Sequence, residues 1–293
     1  MTLQLTVLQI DNRLQHDLQL QKTMLSHDAR VRLQFVQRNR ALTKARGWTH
    51  VIRSTGYEGI PPWWWKVFAI QEMFHLSDDP ENLLILWMDT DAALTRTRCV
   101  FGHGNTTRCE CMVTDPVRLA KKDIFHCMWF SPDVSMSRSP FNAGSFLVRG
   151  TVAGRRLISD WVALYNPRMW KVVPIDGTHD TIPGQVVRTG MEKQLPVGSQ
   201  KWVYTVGDWA GVAFEQGSFV RHILPKASVY GLRALPYYVF NEVHCTEPHR
   251  HSICVHLHGV HAVQDCEEER CVLRQSASIL DPKKAAFAST GVQ

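Results

Sequence analysis

At 293 residues the chain is long enough to bury a large core, and 44% hydrophobic against 20% charged residues is a globular balance, not a disordered one. A formal charge of +6 is too modest to argue for nucleic acid and suits a small anionic substrate. No window approaches the roughly 18 continuous apolar residues of a membrane span, and the opening MTLQLTVLQIDNR lacks the basic and long apolar regions of a signal peptide.

In chain order, Leu3–Ile10 reads as a first strand that ends at Asp11-Asn12. Residues 28–46 set Val31, Leu33, Val36, Ala41 and Leu42 among arginines and glutamines, the pattern of an amphipathic helix stopped by Gly47. Trp48–Arg53 reads as a second strand and Trp64–Phe74 as a helix entered after Pro61-Pro62. Residues 83–91, LLILWMDTD, are an apolar run ending in two aspartates, which predicts a strand buried on both faces. The alternation of strands and helices over these ninety residues predicts an α/β fold with a mostly parallel, nucleotide-binding sheet.

Residues 99–123 read as irregular. Phe125–Phe130 and Ser145–Val148 follow as short strands, and Arg155–Leu164 as a helix. Pro, Gly and Thr predict a long loop over residues 172–199. Phe214–Ile223 reads as a short helix, and Tyr237–Asn241 and Ile253–His258 as late strands. Without repeats or linkers, residues 1–274 are expected to form a single domain and residues 275–293 a weakly patterned tail.

Asp89 and Asp91 carry the clearest chemistry. Two carboxylates at the carboxyl end of a buried parallel strand sit where open α/β sheets bind ligands. Paired anionic oxygens suit a hard divalent cation, which in turn clamps a diphosphate. Asn142-Ala143-Gly144-Ser145 reads as a tight turn whose small residues let a ligand approach the backbone. His256 and His258 fall on the same side of an alternating strand, so either is placed to ligate a metal. In the Trp63-Trp64-Trp65 run, helical geometry lets one or two rings face a sugar while the rest enter the core.

Eight cysteines, a sequon at Asn105-Thr106-Thr107 and the absence of a signal segment leave the compartment open. Cys245, His249, His251, Cys254, His256, His258, Cys266 and Cys271 lie within 27 residues, which supports a rival reading as a zinc-binding interaction module. No C-x₂-C pair occurs among them, so the spacing is irregular for zinc. The basic residues at 30–46 are offset by 27 acids elsewhere and carry no nucleic-acid motif.

Several ordered blocks together carry a resemblance. They are Asn39-Arg40 with Arg46-Gly47-Trp48, Trp65-Lys66-Val67, Trp87-Met88-Asp89-Thr90-Asp91-Ala92, Phe141–Arg149, Glu215-Gln216 and His256-x-x-Gly259. Over roughly Leu3 to Gly259 the chain resembles the GT-A glycosyltransferases, most closely the fungal α-galactosyl and α-mannosyl transferases and the plant xyloglucan α-xylosyltransferases. The resemblance implies a GT-A sheet flanked by helices, with a small additional antiparallel sheet. It implies retaining transfer of a hexose or pentose from a nucleotide-sugar, a UDP-sugar first, to a glycan or glycoconjugate hydroxyl.

The resemblance also distributes roles. Asp89 and Asp91 bind Mn²⁺ or Mg²⁺, and His256, with His258 as second choice, completes the shell before Gly259. Gln9, Asp11 and Asn12 hold the nucleobase and ribose, and Arg40 and Lys66 contact the diphosphate or ribose. Asn142, Ala143 and Gly144 line the donor-sugar pocket. Glu215 and Gln216 support the anomeric carbon, with Asp208 or Asp180 as upstream substitutes because the usual acidic run before the Gln is replaced by Ala213-Phe214. The resemblance implies the Golgi or secretory lumen, and the missing signal segment leaves the cytoplasm open as an alternative.

Overall fold

The computed structural model describes residues 2–11, 13–14, 27–57, 59–94, 115–133, 139–174, 200–204, 211–240 and 253–256. Strand β1 (Gln4–Ile10) leads through helix α1 (His27–Ala45) to β2 (Thr49–Arg53). A 3-10 turn at Pro62–Trp64 then opens α2 (Trp65–Leu76), and β3 (Leu83–Met88) follows. β4 (Ala92–Leu94), α3 (Pro116–Lys122), β5 (Met128–Phe130), β6 (Ser145–Arg149) and α4 (Val152–Val162) come next. The remaining elements are β7 (Trp170–Pro174), β8 (Gln200–Tyr204), α5 (Glu215–Ser218) continuing as a π turn over Phe219–Ile223, α6 (Ala227–Tyr230), β9 (Leu232–Ala234), α7 (Tyr237–Phe240) and β10 (Cys254–His256).

Six strands form one sheet in the order β2-β1-β3-β6-β5-β9. β1 pairs parallel with both β2 and β3, β6 runs antiparallel to β3 and β5, and β9 is parallel to β5. Five strands therefore point one way and β6 alone points back. β7 with β8 and β10 with β4 make two small antiparallel sheets. The fold is α/β with a mostly parallel sheet flanked by helices and an additional small antiparallel sheet, as the sequence leads one to expect.

Each face of the sheet has its own apolar layer. In β3, Leu83, Ile85 and Trp87 pack with α2 residues such as Ile70 and with Trp161 of α4, whereas Leu84, Leu86 and Met88 pack with Leu42 of α1, Ala120 of α3 and Phe240 of α7. All six β3 residues are buried, because helices cover both sides. Gly47 ends α1 with φ +66, a conformation that side-chain-bearing residues adopt at a cost.

Three expectations change. Residues 237–240 are helical, not a strand: Val239 N–H bonds back to Pro236 O at 3.0 Å, and the edge beside β5 belongs to β9 instead. Residues 116–122, read as irregular, are a helix capped by Asp115, whose carboxylate accepts from Val117 N–H at 2.8 Å, with Pro116 at the first position. The start of the expected 172–199 loop is strand β7, paired with β8. The tail from residue 275 lies outside the described residues.

The start of α4 tolerates no side chain at Gly154, where a Cβ would stand 1.9 Å from the Arg149 carbonyl oxygen. Gly154→Ala is therefore expected to lower the unfolding free energy by about 1–3 kcal/mol in urea titrations, through overpacking. Gly59→Ala, with nothing within 4 Å of a Cβ, should stay within about 0.5 kcal/mol of the parent. Equal effects from the two substitutions would contradict the packing.

Candidate functional site

The sheet places its binding crevice. The chain leaves β1 for β2 on one side and returns through α2 to β3 on the other, so the carboxyl ends of β1 and β3 flank a switch of direction. Ligands of open α/β sheets bind at such a point. Asp11 ends β1 and Asp89-Thr90-Asp91 ends β3 at that crevice.

The turn that carries the two aspartates is pinned from four directions. Asp89 N–H bonds to Gly144 O at 2.7 Å and Ala92 N–H to Asp89 O at 3.0 Å. Trp87 Nε1–H donates to Asp89 Oδ1 at 3.0 Å, and Gln9 Nε2–H to Asp89 O at 3.1 Å. Asn39 Nδ2–H donates to Ala92 O at 2.9 Å, while its Oδ1 accepts from Leu94 N–H at 2.8 Å. Asn39 thus fixes β4 from α1. β4 in turn pairs with β10, and the register sets His256 opposite Ala92. A residue 165 positions after Asp91 is thereby brought beside it through the backbone alone.

Lys66, at the start of α2, has its ammonium at the centre of the site. Its Nζ lies 3.0 Å from Ala143 O, 3.0 Å from Glu215 Oε1 and 3.4 Å from Asp89 Oδ1, and 5.4 Å above the centroid of the Trp87 ring. An ammonium has three donors, and these three oxygens use them. Lys66 is buried and faces protein on every side. In this structure it braces the site from within, and the expected contact with diphosphate or ribose is not among the interactions shown. Burial opposes its charge, but Asp89 and Glu215 outweigh burial and hold its pKa up. Burial and the Asp89 charge push the Glu215 pKa up despite Lys66.

Gln216, next to Glu215, accepts from Ala143 N–H through Oε1 at 3.0 Å. Because that backbone N–H needs an acceptor, it fixes which way the amide is turned. Among the described residues the amide nitrogen Nε2 is then buried with no hydrogen-bond partner. Native interiors seldom leave such a donor unpaired. Asn142 shapes the same turn: its Oδ1 accepts from Gly144 N–H at 2.7 Å and its Nδ2 lies 3.2 Å from Asp133 Oδ1. Behind the turn, Phe141 stacks on Phe219 with centroids 4.1 Å apart, and Trp161 Nε1–H donates to Glu215 O at 2.9 Å.

At the end of β1, Asp11 is buried and accepts from Arg13 Nε at 2.8 Å, from Arg13 Nη2 at 2.5 Å and from the Thr90 hydroxyl. Burial raises the Asp11 pKa, but the Arg13 charge together with hydrogen bonds from Arg13 and Thr90 outweighs it and lowers the pKa. Burial alone would lower the Arg13 pKa; the charges of Asp11, Asp91 and Asp89 raise it. Sequence reasoning overlooked Arg13. The signal was its place two residues beyond the acid that ends β1.

The structure places the other predicted residues as follows. Gln9, expected to meet a nucleobase, is wholly buried and divides its side chain among the Asp89 carbonyl, Asn39 and His50. It braces the aspartate turn. Arg40 is exposed on α1, and its charge is felt at His50. Trp64 and Trp65 are core, donating to Ala213 O at 2.8 Å and Ile60 O at 2.7 Å. Only Trp63 is partly open, stacked on Trp170 at 5.4 Å. Asn12, His258, Gly259, Asp180 and Asp208 lie outside the described residues, as does the His256 side chain.

The donor set fits a divalent cation. The Asp89 side chain is 35% exposed, and its Oδ1 is oriented by Trp87 and Lys66, as outer partners orient a metal carboxylate. Asp11, Asp89, Asp91 and Glu215 against Arg13 and Lys66 leave two surplus negative charges if all are ionised. Among the described residues no three His, Cys, Asp or Glu side chains form a metal cage. One or two carboxylates plus phosphate oxygens are the usual complement for Mg²⁺. Cys254, a member of the zinc reading, is buried and its Sγ donates to Phe240 O at 3.0 Å, and the other cysteines and the histidine side chains of that reading lie outside the described residues. No described helix is long and apolar enough to cross a membrane.

No family model and no curated protein matches the chain. Among solved structures it is similar to a glycosyltransferase involved in the glycosylation of the major capsid of PBCV-1, at 10% identity over 94% of this chain and 99% of that one, TM-score 0.49. It is also similar to the glycosyltransferase GlyE of Streptococcus pneumoniae TIGR4, at 11% identity over 83% and 47%, TM-score 0.36. A third is the catalytic domain of Drosophila beta1,4galactosyltransferase 7 in complex with xylobiose, at 13% identity over 54% and 52%, TM-score 0.28. The chain spans about half the length of these last two. All three are glycosyltransferases, but at this depth no residue role is carried across.

Two outcomes are expected from the geometry. Lys66→Met leaves Glu215 buried without its counter-charge and should cost about 3–5 kcal/mol in urea unfolding, much of it recovered in the Lys66→Met/Glu215→Leu double variant. Recovery of nothing would contradict the pairing. His50 provides the second: burial and the Arg40 charge push its pKa down to about 4. Between its unfolded value near 6.5 and about 4 only the unfolded chain takes the proton, so stability falls as pH falls through that window. Urea midpoints from pH 7 to pH 4.5 should drop less steeply in His50→Gln, and an unchanged slope would remove His50 from the account.

Proposed function

We propose that the protein is a metal-dependent retaining glycosyltransferase that moves a hexose or pentose from a nucleotide-sugar, a UDP-sugar in the first instance, to a glycan or glycoconjugate hydroxyl. Its kin would be the fungal α-galactosyl and α-mannosyl transferases and the plant xyloglucan α-xylosyltransferases. The observation that carries the reading is the crevice itself. Asp89 and Asp91 stand at the switch point of a mostly parallel sheet, and the β4–β10 register brings the backbone of His256 beside them.

Asp89 and Asp91 hold Mn²⁺ or Mg²⁺, with His256 as the protein's third ligand and His258 as its substitute. Mixed oxygen and imidazole ligation favours Mn²⁺. A divalent cation held there would supply Lewis-acid stabilisation of the departing diphosphate. Arg13, locked by Asp11 and partly exposed, adds a fixed positive charge at the same mouth. The 142–144 turn lines the sugar pocket. Gln216 contributes through Nε2, which donates to a sugar oxygen, because its carbonyl is engaged by Ala143 N–H. The electrostatic support for positive charge at the anomeric carbon then falls chiefly to Glu215, tempered by Lys66. Asn12 and Gly259 complete the nucleotide and metal ends of the crevice. Trp63 is the member of the tryptophan run left to meet an acceptor sugar.

A thermal-shift screen of UDP- and GDP-sugars with and without Mn²⁺ tests this reading, since a ligand of the native state alone raises the melting temperature. A Mn²⁺-dependent rise with a UDP-sugar is expected, and Asp89→Asn and Asp91→Asn should each abolish both the rise and transfer. NMR of the product's anomeric proton should show an α-linkage. Normal turnover in either variant, or a β-linked product, contradicts the metal role or the retention respectively.

A further inference from the structure

We propose that the end of the molecule opposite the crevice docks on an anionic lipid bilayer, through the exposed Ile124-Phe125 tip and the two lysines before it. Lys121 and Lys122 end α3, and Ile124 and Phe125 follow at once in the turn that leads into β5. Phe125 is 85% exposed and Ile124 66%. The turn is held against the start of β9, where a Cβ at Gly231 would stand 2.9 Å from Phe125 O.

The charges around this tip are one-sided. Asp123, the acid within it, is buried and taken up by Trp129 Nε1–H at 2.9 Å, by His126 at 2.6 Å and by Arg233. Lys121 and Lys122 are exposed and make no ion pair among the described residues. Among the described residues, the surface thus presents two adjacent apolar side chains on a turn, preceded by two lysines without an ion pair. A protein partner needs about 800 Å² from each side for a standard interface, which a tip of two apolar side chains does not supply. Shallow insertion of a few apolar residues, joined to attraction between lysines and acidic headgroups, is how peripheral proteins hold to a bilayer.

Orientation follows from the sheet. β5 runs parallel to β3, because both are antiparallel to β6. The turn before β5 therefore lies at the amino ends of the parallel strands, and Asp89 and Asp91 at the carboxyl ends. A bilayer docked on the tip leaves the crevice facing water, which under the proposed function means acceptors presented from the aqueous side.

Co-sedimentation of the full chain with large unilamellar vesicles needs no turnover, so its outcome is separate from that of the proposed function. Binding is expected to vesicles of phosphatidylcholine with phosphatidylserine, to fall with added salt, and to be weak on phosphatidylcholine alone. Ile124→Ser/Phe125→Ser and Lys121→Glu/Lys122→Glu should each weaken it roughly tenfold or more, with the melting temperature unchanged because these side chains are exposed. No serine-lipid-dependent binding, or binding indifferent to both variants, overturns the proposal. So does sedimentation velocity that shows a dimer dispersed by Ile124→Ser/Phe125→Ser, which would assign the tip to a second copy of the chain.

Discussion

One buried ammonium ties the candidate site together. Lys66 joins the start of α2 to the Asp89 carboxylate at the end of β3, to the Ala143 carbonyl in the turn before β6 and to the Glu215 carboxylate at the start of α5. These four segments come from widely separated parts of the sequence, and three of them meet the ligand-binding end of the sheet. A charge taken this far out of water is tolerated only when partners satisfy every proton. Lys66 meets that condition with two carboxylates and a carbonyl, and it thereby fixes the distance between the proposed metal carboxylate and the proposed sugar pocket.

The same arrangement explains how the site can be rigid and still open. Gln9, Asn39, Trp87 and Lys66 hold the backbone and one oxygen of the aspartate turn from within the protein. The Asp89 side chain nonetheless remains partly exposed toward the crevice. Preorganised groups of this kind avoid reorganisation when charge develops on a ligand. Gln216 extends the principle into the pocket, since its carbonyl is locked by the backbone and, among the described residues, its amide nitrogen has no partner.

Much of this was legible in the sequence, and what was not has physical reasons. β3 announced itself because burial on both faces demands an unbroken apolar run, and Asp89 and Asp91 stood out against it. α1 and its stop at Gly47 followed from periodicity and a glycine with positive φ. Roles within the site were harder. The sequence did not show that Lys66 has three oxygen partners inside the protein, or that Gln9 has three internal partners, because those partners lie far away in the chain. Tyr237–Phe240 misled because aromatic and β-branched residues favour strands, yet pairing beside β5 had already gone to β9, which carries only three residues. Arg13 was overlooked because its place two residues beyond Asp11 gains meaning only where Asp11, Asp89 and Asp91 converge across two strands.

The central claim is that the Asp89–Asp91 turn holds a divalent cation that receives a nucleoside diphosphate. Crystals grown with Mn²⁺ and UDP, measured for anomalous scattering at the manganese edge, test it most directly. The account predicts one strong peak bridging Asp89, Asp91 and the diphosphate, with His256 as the remaining protein ligand. A peak elsewhere in the molecule, or UDP bound away from the carboxyl ends of β1 and β3, would contradict it.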